Sequence, residues 1–139
     1  ISDPGYRLVH MSHIENIEVV SIPGSCSLIS SLSISGLPTD TFFFQGFLPR
    51  KKGRKTKFEL LQGIKSTVII FESPRRLKKT LADIYEYMGN RIVAVCKEIT
   101  KFHENVIVDE IKNIITRYEN QNNIKGEFII IIAKSGYKI

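Results

Sequence analysis

The chain has 139 residues, 42% of them hydrophobic, which suits one folded core on the usual scale of ~100–200 residues per domain. Lysine and arginine total 20 against 14 acids, and the resulting charge of +6 suits a polyanionic partner. Cys26 and Cys96 form no metal-ligand spacing or disulfide framework, and no apolar run reaches the ~20 residues that cross a bilayer, so no metal site and no membrane partner are expected and a reducing cytoplasm fits.

The opening Ile1-Ser2-Asp3-Pro4-Gly5 reads as the interior of a longer protein. A helix is predicted from Asp3 or Pro4, carrying Tyr6 to Ile14, followed by a strand over Glu18 to Ile22. Pro23-Gly24 turns the chain into a helix over Ser25 to Ile34, stopped at Gly36. The loop from Gly36 to Asp40 marks a boundary, because the chain changes there from serine-rich to phenylalanine-rich and basic; residues 1–38 and 39–139 are read as two units. Phe42 to Gln45 is strand-like, Gly46 to Gly53 irregular, and Lys55 to Leu61 a short helix. Thr67 to Phe71 is a strand buried on both faces. Ser73 and Pro74 suit the N-cap and first position of a helix running to Met88, which places Leu77, Leu81, Ile84, Tyr85 and Met88 on one face and ends at Gly89. Ile92 to Val95 and Val106 to Val108 are strands, a helix carries Ile111, Ile114, Ile115 and Tyr118, and Phe128 to Ala133 is the last buried strand. Continuous apolar strands separated by amphipathic helices give an α/β layer fold.

Four places carry chemistry. Pro23-Gly24 is either an ordinary turn or a close backbone approach for a ligand, with free N–H groups beyond it for a carboxylate. Arg50-Lys51-Lys52-Gly53-Arg54-Lys55-Thr56-Lys57 holds six cations in eight residues. It is either a solvated loop or a phosphate-binding run, giving affinity rather than base choice. Phe71-Glu72-Ser73-Pro74-Arg75-Arg76 ends a strand, where open α/β sheets bind ligands. There Glu72 is a candidate contact to a ligand's ribose or amine, and Arg75 and Arg76 to phosphate. Lys97 to Glu104 places Glu98, Lys101, His103 and Glu104 beyond a strand end. That set is either a surface ion-pair cluster or a source of the base and positioning groups for attack by a hydroxyl.

Seven segments in order carry a resemblance: Ser2-Asp3-Pro4-Gly5, Pro23-Gly24, Ser35-Gly36-Leu37-Pro38-Thr39-Asp40, Phe44-Gln45-Gly46-Phe47-Leu48-Pro49, Phe71 to Arg76, Lys97 to Glu104, and Lys125-Gly126-Glu127-Phe128. Together the chain resembles the bacterial 16S ribosomal RNA cytidine 2′-O-methyltransferases of the tetrapyrrole methylase superfamily. It departs from their pattern at Ser25-Cys26-Ser27, where Pro-Ser-Ala is usual, at Lys97 for arginine, and at Phe71 and Arg75 for tyrosine and histidine.

The resemblance implies a tetrapyrrole methylase-like α/β fold: the end of an N-terminal domain (1–38) plus a complete C-terminal mixed-sheet domain (39–139). It implies S-adenosylmethionine in a cleft between two lobes, with Pro23, Gly24, Ser25, Glu72, Ser73 and Thr100 as cofactor-binding residues. It implies catalytic candidates among Glu98, Lys101, His103 and Glu104. RNA contacts would come from Arg50, Lys51, Lys52, Arg54, Lys55, Arg75 and Arg76, the partner being small-subunit ribosomal RNA or the 30S subunit. A glycine-rich leading lobe has no counterpart in this sequence, so the chain reads as the carboxy-proximal portion, inactive alone. Self-association and a separate polypeptide supplying the missing lobe are both compatible with it. The alternatives are a non-catalytic RNA-binding module and an inactive split-gene fragment.

Overall fold

The structure, a computed structural model, describes residues 2 and 4–138. Five helices are described, α1 (Tyr6–Ile14), α2 (Ser27–Ile34), α3 (Arg54–Gln62), α4 (Leu77–Met88) and α5 (Ile111–Glu119), with five strands, β1 (Phe42–Phe47), β2 (Thr67–Glu72), β3 (Ile92–Lys97), β4 (Asn105–Glu110) and β5 (Phe128–Ile132). The strands form one mixed sheet in the order β1-β2-β5-β3-β4. β1 and β2 are parallel, and β5 runs antiparallel between β2 and β3.

The three central strands are apolar along their middles, from Val68 to Phe71, Ile92 to Cys96 and Phe128 to Ile132, because both sheet faces are covered. Alternate residues then divide between two cores, as the two-residue period of a strand requires. Val68, Ile70, Val93, Val95, Phe128, Ile130 and Ile132 meet Phe58 and Leu61 of α3, Leu77, Leu81, Ile84 and Met88 of α4, and Ile111, Ile114 and Tyr118 of α5. Ile69, Ile92, Ala94, Cys96, Ile129, Ile131 and Ala133 face the other way, toward Leu28 and Leu32 of α2 and Leu37. Helix α2 and Leu37, from the 1–38 segment, therefore pack directly on the sheet.

Several local expectations need correction. Glu18 to Ile22 forms neither strand nor helix, and Ile17, Val20 and Ile22 are 59%, 68% and 82% exposed. The apolar pattern there marks a strand's capacity to pair without supplying a neighbour. Of the two expected starts for the first helix, Asp3 lies outside the described residues; α1 begins at Tyr6 and buries none of its residues. Helix α2 begins at Ser27 rather than Ser25. Strand β1 continues past Gln45 through a bulge, with the register slipping between Phe44 and Gly46. Gly46 accommodates the kink at φ 69°. Helix α4 begins at Leu77, and Ser73 does not cap it. The Glu72 carboxylate takes the Ser73 N–H at 2.7 Å. The Ser73 carbonyl accepts from Arg76 N–H at 3.1 Å, so Ser73 to Arg76 makes a separate turn before the helix.

Candidate active site

Because β5 is antiparallel to its neighbours, its first residues lie beside the carboxyl ends of β2 and β3. A cleft of about 290 Å³ opens at this edge, lined by Ser27, Phe47, Phe71 to Pro74, Cys96, Ile99 and Gly126 to Ile129. Its walls are Phe47, Phe71, Ile99, Phe128 and Ile129, with hydroxyls from Ser27 and Ser73. Phe44 and Phe47 each pack edge-on to Phe71, at ring distances of 5.0 and 5.7 Å.

The candidate cofactor residues divide. Ser73 and Glu72 line this cleft; Thr100 is exposed and does not, although its neighbour Ile99 does. Pro23, Gly24 and Ser25 are exposed, and this segment enters the cleft only through Ser27. A Cβ on Gly24 would meet nothing within 4 Å, so no close packing in this structure requires glycine there. No side chain caps α2, which leaves the first N–H groups of that helix without side-chain acceptors.

Glu72 is a correction. Its side chain is fully buried and turned into the protein. Oε1 pairs with Arg76 at 2.7 Å and accepts the Ser73 N–H. Oε2 accepts the Thr80 hydroxyl at 2.6 Å. That hydroxyl also accepts from Arg54 at 2.8 Å. Arg54 in turn pairs with Asp83 at 2.7 Å, donates to the Pro49 carbonyl at 3.1 Å and lies over the Phe58 ring. Arg54 is only 7% exposed, so it is not a phosphate contact as expected from its place in a basic run; a guanidinium this deep needs its carboxylate. Arg76 donates to the Leu48 carbonyl at 3.0 Å and is partly exposed. Arg50, Lys51, Lys52, Lys55 and Arg75 stand on the surface. Lys55 has a loose partner, Glu59 at 3.9 Å.

The four catalytic candidates lie on the β3–β4 turn, and none of them lines the cleft. Glu98 accepts the Glu127 N–H at 2.7 Å and pairs with Lys101 at 3.2 Å, while Lys101 reaches Glu127 at 2.9 Å. The Glu127 N–H first, and then Lys101, hold the Glu98 carboxyl below its ordinary pKa. Hydrogen bonds to Glu127 and Glu98 hold the Lys101 ammonium above its own. Both shifts oppose a general-base role near neutrality. Glu104 accepts the Thr100 N–H at 2.5 Å. His103 is exposed, its ring 5.1 Å from that of Phe102.

Gly126 and Glu127 had no assigned role, although their segment was part of the resemblance. The sequence signal was the glycine. Gly126 has φ 104°, and a Cβ there would sit 2.8 Å from Glu98 Cγ. Glu98 and Thr100 also adopt left-handed backbone, at φ 50° and 68°. Such strain persists where surrounding contacts over-determine the chain.

The model of the Tetrapyrrole (Corrin/Porphyrin) Methylases matches residues 1–115. The chain belongs to this methylase family. It is 43% identical, over its full length, to the ribosomal RNA small subunit methyltransferase I of Halalkalibacterium halodurans, covering 48% of that protein. It is 41% identical over 96% of its length to the protein of the same name from a Hydrogenobaculum species, covering 58% of it. The chain thus spans about half the length of the curated relatives it matches. Among solved structures, it is similar to a cobalt precorrin-4 methyltransferase with a TM-score of 0.64 and 16% identity, over 92% of this chain and 57% of that one. A uroporphyrin-III C-methyltransferase from Thermus thermophilus, complexed with S-adenyl homocysteine, gives 0.61 at 13% identity, over 96% and 60%. At these identities the solved structures establish the methylase fold alone. Among the described residues no helix is long and apolar enough to cross a membrane.

Proposed function

We propose that this chain is the carboxy-proximal portion of an S-adenosylmethionine-dependent enzyme that methylates the 2′-hydroxyl of a cytidine in small-subunit ribosomal RNA. The observation that carries the reading is its 43% identity, over the whole chain, to a relative named ribosomal RNA small subunit methyltransferase I. The cleft suits one side of such a donor. Its aromatic and aliphatic walls fit an apolar or π surface, and Ser27, Ser73 and the first turn of α2 offer polar groups for an amino-acid moiety. Bound there, the donor would supply an electrophilic sulfonium-bound methyl group.

The chain's own residues would orient the sugar and take up the hydroxyl proton. Glu98 and Lys101 are committed to each other and to Glu127, and Glu104 to the Thr100 N–H. His103, with no hydrogen bond or ion pair among the described residues, is the remaining candidate for proton acceptor. The surface cations Arg50, Lys51, Lys52, Lys55 and Arg75 are the proposed RNA contacts.

The test joins this chain to the leading half present in its relatives and assays undermodified small subunits for a 2′-O-methyl mark. A mark is expected, and no mark from a folded, complete protein would defeat the reading. Calorimetry on the chain alone should find weak or no S-adenosylmethionine binding, because one wall of the cleft is missing; micromolar or tighter binding would refute that.

A non-catalytic RNA-binding module is the second reading, favoured by the exposed cations Arg50, Lys51, Lys52 and Lys55. It predicts salt-dependent RNA binding with no donor binding even in the joined protein.

A further inference from the structure

A second recess adjoins the cleft. It is lined by Phe47, Leu48, Arg50, Ser73, Arg75 and Arg76, together with Pro49, and has a volume of about 610 Å³. That falls within the ~300–1,000 Å³ of small-molecule sites. Phe47 and Ser73 line both hollows, so a ligand in one lies directly beside a ligand in the other. Three guanidiniums border the recess, and no carboxylate lines it. Arg50 and Arg75 have no ion-pair partner among the described residues. Arg76 is held rigid by Glu72 at 2.7 Å and the Leu48 carbonyl at 3.0 Å. Those two bonds leave other N–H groups of its five available. Arg76 is therefore fixed before a ligand arrives, which reduces the ordering cost of its contact, while Arg50 and Arg75 are exposed and without an ion-pair partner among the described residues.

We propose that this recess seats the phosphate flanking the nucleotide whose ribose is presented to the cleft. It is a substrate-positioning site, distinct from the general electrostatic attraction of Lys51, Lys52 and Lys55. The inference rests on the RNA-methylation reading and names the part of the substrate recognised. Planar guanidiniums match a phosphate in two-pronged hydrogen bonds that lysine cannot reproduce.

The experiment titrates the 139-residue chain with cytidine, cytidine 3′,5′-bisphosphate and inorganic phosphate, following backbone amide shifts by NMR. The bisphosphate should bind about tenfold more tightly than either of the others, as charge-assisted hydrogen bonds require. The largest shifts should fall at residues 47–50 and 73–76. Arg75→Ala and Arg50→Ala should each abolish most of that preference, and Arg75→Lys should restore only part of it. Lys65→Ala, the same charge change at the opposite end of β2, should leave it intact. Equal affinity for cytidine and the bisphosphate overturns the proposal. So does inorganic phosphate binding as tightly as the bisphosphate, or an equal loss in Lys65→Ala. A bisphosphate preference in a chain whose joined form leaves no methyl mark would keep this site while removing the enzymatic reading; a mark without the preference would do the reverse.

Discussion

The buried chain Arg76–Glu72–Thr80–Arg54–Asp83 gives the sharpest test of how the site is held. Thr80 is fully buried, and its hydroxyl links the Glu72 carboxylate at 2.6 Å to the Arg54 guanidinium at 2.8 Å. Thr80→Val keeps the branched shape and removes both bonds. Hydrogen bonds to charged groups contribute about 1.5–3 kcal/mol each, and a buried oxygen left without a donor adds its desolvation cost. The expected loss is therefore at least ~3–6 kcal/mol. Thr80→Ser keeps the hydroxyl and loses one methyl, costing ~1 kcal/mol. With an unfolding entropy of about 2.1 cal/mol/K per residue, a chain of this length loses ~3 °C in Tm per kcal/mol. Valine should thus lower Tm by ~10–20 °C and serine by ~3 °C. Urea unfolding midpoints at neutral pH, with matched m-values, measure the difference. If Val and Ser variants fall within ~1 kcal/mol of each other, the hydroxyl bridge is not what holds this network.

Three further outcomes follow from individual groups. Gly126→Ala should destabilise by at least ~1–3 kcal/mol in urea unfolding, since φ is 104° and the new Cβ meets Glu98 Cγ at 2.8 Å; an unchanged midpoint would show that the turn relaxes freely. Glu98 and Asp109 both have depressed carboxyl pKa values, from the Glu127 N–H and then Lys101 in the first case, and from Asn113 and the Glu110 N–H ahead of Arg117 in the second. Their stabilisation is present above the unfolded values of about 4.3 and 3.9 and is lost as pH falls through the lower folded values. Glu98→Gln with Asp109→Asn should therefore flatten the stability profile below about pH 4, and an unchanged acid limb would contradict these contacts. Burial raises the Cys96 thiol to about 11, while Cys26 is only half-buried. In the native protein one thiol per chain should react with a disulfide reagent at pH 8 and the second only on unfolding; equal rates would mean that Cys96 is accessible through the cleft.

The central strands were legible because burial on both faces writes an unbroken apolar run, as in Val68 to Phe71 and Phe128 to Ala133. The failures share a cause: a local signal competing with a distant partner. Ser73-Pro74 is a good helix start, yet Glu72 takes the Ser73 N–H and ties down Arg76, and the helix waits until Leu77. Arg54 sits among solvated cations in sequence, but Asp83, 29 residues away, draws it into the core. Residues 18–22 carry the β-branched side chains of a strand, which cannot specify where a neighbour comes from. At the cleft, strand-end reasoning pointed to Glu72-Ser73 and to the segment after β3. It could not reach Gly126 and Glu127, because only the antiparallel direction of β5 brings that strand's start to the same edge.

Under the proposed function, these contacts make affinity for RNA and affinity for the methyl donor separable. The cationic recess is closed by local bonds: Arg76 and Arg54 fix the Leu48 and Pro49 carbonyls, and Glu72 joins the two arginines through Thr80. That surface rests on β2, which is held by its pairing with β1 and β5. The proposed donor cleft has Ser27 among its lining residues, and Ser27 follows a segment, residues 17–25, that is exposed along its length despite four β-branched apolar side chains. Exposed apolar surface of that kind gains stability only when something covers it. Under the proposed function, a leading lobe laid over residues 17–25 is expected to raise donor affinity by covering this apolar surface beside the cleft and to change phosphate affinity at the proposed recess far less; equal gains at both would refute the separation.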